Sequence, residues 1–321
     1  MAGTDLPREF VVPHEVGEDR ADRVLAGNLP GGVTRAFVSR LLKEQRILLG
    51  GVPLRPASLL RGGDRVSILP ASPTEAAGSE VEIPPVRFLF EDEHLIVVDK
   101  PAGLAVHPGA GRASGTLMDL LVRMRPEMVG VGEPDRWGMV HRLDRDTSGV
   151  MVVALTRAAY SGLTAQFREH SVHRIYYALV RANPGAECGM IDAALGRHPV
   201  DRKRISTRAR QGRSAVTHWR VIERLGGLTL LEVTPKTGRT HQIRVHLASV
   251  GLPIAGDPVY GKARRGSKRL EPRLKAALAT LKRQALHAAV LGFVHPTLSE
   301  YREFSSPLPN DMDHAMQLCR G

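Results

Sequence analysis

Residues 216–222 and 228–233 are two runs rich in apolar and β-branched side chains, joined by a turn that contains Gly226-Gly227. Strand-like runs linked by so short a glycine turn form a hairpin, so at least part of the sheet in this chain is antiparallel. Further strand-like runs stand at 95–99, 150–154 and 174–180. Between them, helical periodicity predicts helices near 116–124, at 157–170 with Thr156 as N-cap, and at 240–250 before Gly251. The pattern is that of an α+β domain around a mixed, largely antiparallel sheet.

A chain of 321 residues has room for about two domains. The break falls between Pro70 and Pro85, where the composition turns to Ala, Ser, Glu, Gly and Pro without an apolar period. Ahead of it, helical patterns at 20–29 and 34–45 are followed by short apolar runs at 47–49 and 66–69. We therefore expect a small α/β unit over 18–70, a linker over 71–86 and a larger domain over 87–321.

The net charge of +12 favours a polyanionic partner. Between Arg20 and Arg65 nine basic residues face three acidic ones, so half of that charge sits in the small unit. Basic segments at 202–213, expected to be a loop, and at 262–283 suit phosphate contact as well. Cys188 and Cys319 are too few and too far apart for a disulfide framework or a cysteine metal site. No apolar stretch approaches the roughly 18 residues of a membrane helix, and the first ten residues lack the basic start and apolar run of a signal peptide. A cytoplasmic protein with no membrane partner is expected. His141, His241, His246, His287 and His295 match no metal-binding spacing, so no metal is expected and the histidines read as hydrogen-bonded core or pocket residues.

The run His141-Arg142-Leu143-Asp144-Arg145-Asp146-Thr147-Ser148-Gly149 places an acid between two arginines at the mouth of the apolar strand that begins at Val150. Rigid backbone aims a carboxylate at such a strand end, and neighbouring cations favour its charged form, which makes it a candidate nucleophile. Spacing alone leaves Asp144 and Asp146 equal, and it leaves Arg239 and Arg244 equal as the partner cation.

Other segments carry a family resemblance together with this nonamer. They are Asp99-Lys100-Pro101-Ala102-Gly103-Leu104-Ala105-Val106-His107-Pro108, Arg174-Ile175-Tyr176-Tyr177, Thr237-Gly238-Arg239-Thr240-His241-Gln242-Ile243-Arg244, Gly256-Asp257-Pro258 and Leu286-His287-Ala288. In order and content they resemble the RluA/RluD family of RNA pseudouridine synthases, from about residue 88 onward. The resemblance implies the pseudouridine synthase fold and a cofactor-free isomerisation of uridine, with Asp144 as the catalytic residue. It implies Tyr176 against the target base and Arg244 as the active-site arginine. Arg239 is then expected at a phosphate, the loop from Lys100 to Pro108 mainly as support for the pocket with Lys100 also a phosphate contact, and Arg142 at a phosphate or in the space that the extruded uridine vacates. Whether Asp144 attacks the sugar, attacks the base or removes a ribose proton stays open.

The small unit resembles an S-four type RNA-binding module, which implies RNA contacts from Arg35, Arg40 and Lys43 on its second helix. It departs from the usual form at Gln45, where a glycine often ends that helix, and at Gly50-Gly51, where Asn-Gly is common. With such a module the resemblance implies a structured RNA substrate, large-subunit ribosomal RNA before transfer RNA, and a monomer is expected. Two other classes compete. A catalytically silent RNA-binding factor would have no need of Asp144, Tyr176 and Arg244, and a glycosidase would need a second acid opposite the first, for which Asp146 and Asp257 are available.

Overall fold

The computed structural model describes every residue except 1–6, 31, 32, 34, 70–82, 108–113, 134, 135, 202, 203, 210, 262–270 and 321, and the side chains of 36, 40 and 43. The chain divides into two units, Met1–Val81 and Glu82–Gly321. Most of the expected linker lies outside the described residues.

The first unit comprises β1 (Glu9–Val11), β2 (Asp19–Arg20), α1 (Ala21–Asn28), α2 (Arg35–Lys43), β3 (Ile47–Leu49), β4 (Val52–Pro53), β5 (Leu59–Leu60) and β6 (Arg65–Ile68). Its antiparallel sheet has the order β1-β6-β3-β4, and β2 pairs with β5. The unit starts earlier than the expected residue 18, because β1 supplies an edge strand with Phe10 opposite Val66. Val24 and Leu25 of α1 meet Val38, Leu41 and Leu42 of α2 over Ile47 and Val66, the apolar stripes that the helical period placed on one face. Past the end of α2, Gln45 takes the left-handed conformation at φ 56°, and Arg46 N–H donates to Leu41 O at 2.9 Å. A non-glycine residue therefore fills the role of the usual C-terminal glycine. Gly50 and Gly51, both with positive φ, make the tight turn between β3 and β4.

The second unit runs β7 (Arg87–Glu91), β8 (Leu95–Lys100), α3 (Leu117–Met124), β9 (Ser148–Ala154), α4 (Arg157–Glu169), β10 (His173–Val180), β11 (Cys188–Asp192), β12 (Gly196–Arg197) and β13 (Ile205–Ser206). It continues with β14 (Val216–Leu225), β15 (Leu228–Pro235), α5 (Gln242–Ser249), α6 (Pro272–Thr280), β16 (Leu286–Val294), β17 (Tyr301–Ser305) and α7 (Asn310–Arg320). The large sheet has the order β11-β14-β15-β10-β16-β9-β8-β7, with β17 also on β16. Every pairing in it is antiparallel except β16 with β9, so the sheet is mixed and largely antiparallel. The expected loop at 202–213 contains β13, paired with β12.

Two adjacent strands explain the long apolar runs. Ile96 and Val98 of β8 and Met151 and Val153 of β9 face one cluster, with Leu117 and Leu121 of α3. Leu95, Val97, Val150 and Val152 face the other, with Ala159 and Leu163 of α4. A strand covered on both faces has no polar alternation to show. The short parallel contact between β9 and β16 depends on Gly149, since a Cβ there would lie 2.1 Å from Ala288 O. The segment 141–147, which carries the charges of the motif, leads directly into the start of β9.

Candidate active site

Asp144 sits in the turn before β9, and its neighbours on the chain are pinned from behind. Its own carbonyl oxygen accepts from Thr147 N–H at 3.0 Å, and the carbonyl of Arg145 accepts from Gly103 N–H at 3.0 Å. Lys100 Nζ donates to Arg145 O at 3.0 Å, and also to Pro101 O and Leu104 O, both at 2.9 Å. Arg283 Nη1 donates to Asp146 O at 3.1 Å, while its other nitrogens hold Asp311 of α7. Gln284 Nε2 reaches Thr147 Oγ1 at 3.3 Å. His141 Nε2 accepts from Val152 N–H at 3.1 Å, so its proton is on Nδ1, and the ring stacks on Phe167. Burial, with the Arg174 charge added, brings the His141 pKa down to about 3.

The front of the turn opens on a cavity of about 590 Å³, within the usual range for small-molecule pockets. Asp144, Arg142, Arg174, Tyr176, Arg239, His241 and Arg244 are in its wall. Arg244 arrives from the first turn of α5, where the helix starts at Gln242 rather than at Thr240, because His241 is left-handed at φ 56°. Gln242 locks that start: Nε2 donates to Val216 O and Thr217 Oγ1, and Oε1 accepts from Thr237 Oγ1 and Arg239 N–H.

The guanidinium of Arg244 divides its donors between two acids. Nε and Nη2 form a bidentate pair with Asp257 at 2.7 and 3.0 Å, and Nη1 donates to Asp144 Oδ2 at 2.8 Å. Asp257 Oδ1 also accepts from the backbone N–H groups of Val259 and Tyr260. Burial alone would raise the Asp257 pKa, but Arg244 and these N–H groups outweigh it and hold the carboxyl below its ordinary range. Burial likewise opposes the charge on Arg244, and the two carboxylates overcome it, so its pKa is raised. Among the described residues Asp144 Oδ1 has no hydrogen bond. His241 Nε2 stands 3.9 Å from it, too long for such a bond, and burial lowers the pKa of that ring. Tyr176, half-buried on β10, has its phenol pKa raised by burial and by the Asp144 charge, against the pull of Arg174.

The family model described as RNA pseudouridylate synthase matches residues 94–249, from β8 to the end of α5. The chain is 44% identical over 313 residues to Ribosomal large subunit pseudouridine synthase D of Xanthomonas campestris pv. campestris, covering 98% of this chain and 92% of that one. The chain belongs to the RNA pseudouridine synthase family. The same-named protein of Pseudomonas aeruginosa is 40% identical, with 98% and 96% of the two chains covered. Among solved structures, Human RNA Pseudouridylate Synthase Domain Containing 4 is similar at a TM-score of 0.56 and 28% identity, over 73% of this chain and 93% of that one.

Within this pseudouridine synthase the structure brings Asp144, Tyr176, Arg244, Arg142 and Arg239 to one cavity. Asp146 is outside the cavity wall and pairs with Arg145. Asp257 is wholly taken up behind Arg244, which removes both acids that a glycosidase would need opposite Asp144. Lys100 corrects its expectation: it is 0% exposed and gives three N–H bonds to carbonyls, so it braces the turn and meets no phosphate. Arg283, counted among the basic residues suited to phosphate, is likewise committed to the turn. Arg35 is half exposed but has two donors on Asp22, while the side chains of Arg40 and Lys43 lie outside the described residues. The histidines have protein partners: His246 bonds Thr217 Oγ1 and Ala193 O, and His295 bonds Asp92. Sequence reasoning did not single out the brace of Asp257, although the block Gly256-Asp257-Pro258 was its signal. The grip of Arg283 had none.

Proposed function

We propose that this enzyme converts uridines of large-subunit ribosomal RNA to pseudouridine, with Asp144 as the catalytic carboxylate, Arg244 as its partner and Tyr176 against the base. The observation that carries the assignment is the divided guanidinium of Arg244, which fixes Asp144, a residue of the cavity wall, by one oxygen and leaves the other without its donor. In the reaction the N1–C1′ bond breaks, the uracil turns, and a C5–C1′ bond forms. The hydrogen of C5 passes to solvent and N1 carries a proton, so nothing is consumed. Attack on the sugar, attack on the base and removal of a ribose proton each use a carboxylate oxygen that bears no donor already, which Oδ1 supplies. The raised pKa of Tyr176 keeps its hydroxyl protonated, and stacking on the base contributes on the order of 1 to 3 kcal/mol.

A uridine in folded RNA has to be extruded at a cost of a few kcal/mol. Arg142, exposed beside Asp144, and Arg239, exposed in the turn before α5, are suited to hold the RNA at the rim. The first unit, with its excess of arginine and lysine, supplies further affinity as an RNA-binding module. The ribosomal substrate is supported by the names of relatives that match nearly the whole chain, and a cytoplasmic enzyme is the reading that goes with it. We read the enzyme as a monomer.

The test is a map of pseudouridines in total RNA from cells lacking the gene, with and without wild-type or Asp144→Asn protein returned. Loss at large-subunit sites, restored only by the wild type, is expected. Loss confined to transfer RNA would overturn the ribosomal assignment.

A further inference from the structure

Arg174 stands two residues before Tyr176 on β10 and is only 8% exposed, yet among the described residues no carboxylate lies within ion-pair distance of it. Its Nη2 donates to Pro235 O at 3.0 Å and to Lys236 O at 3.4 Å. Its Nε is buried with no acceptor. The Phe167 ring, 5.7 Å from Cζ, supports the guanidinium, and a Cβ on Gly238 would come within 3.5 Å of Nη1. Arg244, buried to the same degree, has three donors on two acids. A buried cation with no anion and an orphaned donor is unfavourable in a finished core. Arg174 is in the cavity wall instead, with Asp144 and Tyr176.

We propose that Arg174 is a phosphate-binding residue, and that with the turn Thr237-Gly238-Arg239 it forms a subsite inside the cavity for an RNA phosphate adjoining the target uridine. A neutral acceptor such as a uracil carbonyl would leave the charge uncompensated; a phosphate on the cavity side of the guanidinium compensates it. The absent side chain of Gly238 leaves space beside Nη1, and Arg239, exposed in the same cavity wall, adds a second cation. Phosphate and base are then held from one strand, by residues 174 and 176. The phosphate contact sets the depth to which the nucleotide enters, and so delivers the ribose to Asp144.

The inference rests on uridine isomerisation by this site and not on which RNA is the substrate. The probe is total RNA carrying [5-³H]uridine, from cells lacking the enzyme, since tritium is released as C5 bonds to the sugar. Absence of release by the wild type would count against the activity itself, not against Arg174. Arg174→Gln keeps an amide for the carbonyls and removes the charge. We expect kcat/KM to fall roughly ten- to a hundredfold, mostly through KM. The slope of log kcat/KM against log salt should become shallower by about 0.7, the share of one phosphate contact on a single strand. Arg174→Lys should restore that slope with KM still raised. A Gln variant with the wild-type slope, or a Lys variant no better than Gln, overturns the proposal. If the Gln variant melts before assay, the Lys variant decides: an unchanged KM would overturn it.

Discussion

Asp22 of the first unit and Asp144 of the second are each held by arginine, in opposite ways. Asp22 is 4% exposed, and both its oxygens are covered, by Arg20 and Arg35. The arginines there face solvent, with side chains 44% and 51% exposed. At Asp144 the arginine is the buried partner and the acid the more open one, with side chains 6% and 19% exposed. Arg244 is immobilised by Asp257, so it positions Asp144 through a single bond and leaves one oxygen over. Among acids surrounded by arginine, unspent bonding capacity beside a cavity separates a site from a staple.

The comparison is tested most severely by Asp144→Asn. Turnover should fall below about one thousandth of the wild type, with melting temperature and RNA binding preserved; appreciable tritium release from the purified variant would sink the assignment. Next in size are changes to the brace. Asp257→Asn frees Arg244 from its bidentate anchor, and Arg244→Lys loses the planar fork that makes that anchor; each should lower kcat about a hundredfold while affecting RNA affinity far less. If Arg244→Lys behaves as wild type while Arg239→Lys is dead, the arginines have been confused.

Lys100 sharpens the contrast, since it is a buried charge given only carbonyls. Burial pulls its pKa to about 7 from the ordinary 10.5. Between those values the unfolded chain binds more protons than the folded one, so this group's contribution to stability rises with pH. The margin of wild type over Lys100→Met in denaturant unfolding should widen from about pH 6 to about pH 9; a constant margin would show that Lys100 does not titrate in the folded protein. The smallest effect on catalysis is expected from Asp22→Asn. Hydrogen exchange should rise in α1 and α2, while kcat on total RNA changes by less than about twofold. A large loss of kcat would make Asp22 more than a staple.

Much of this was legible because it is local. The hairpin of β14 and β15 follows from two apolar runs and a glycine turn, and α4 begins where Thr156 accepts from Ala159 N–H. The C-terminal strand β17 and α7 gave weaker patterns, since no residue of β17 is buried and α7 buries only Met312, Ala315 and Met316. The start of α5 was displaced because the left-handed His241 is stabilised by contacts beyond the helix, among them Nδ1 with the Tyr260 hydroxyl at 3.0 Å.

From the sequence alone came the two-unit plan, the antiparallel character of the sheet, and a charged turn at the mouth of β9, since each depends on the order of neighbouring residues. It left Asp144 level with Asp146 and Arg244 level with Arg239 wherever spacing was the only guide. Tertiary structure set them apart by joining Arg244 to Asp144 across 100 residues and Arg283 to Asp146 O across 137. It also turned Lys100 inward, spent Asp257 behind Arg244, and left Arg174 buried without an acid. The reason is physical: the strength and use of a charged group depend on its desolvation and its partners, and both are created only when distant segments pack.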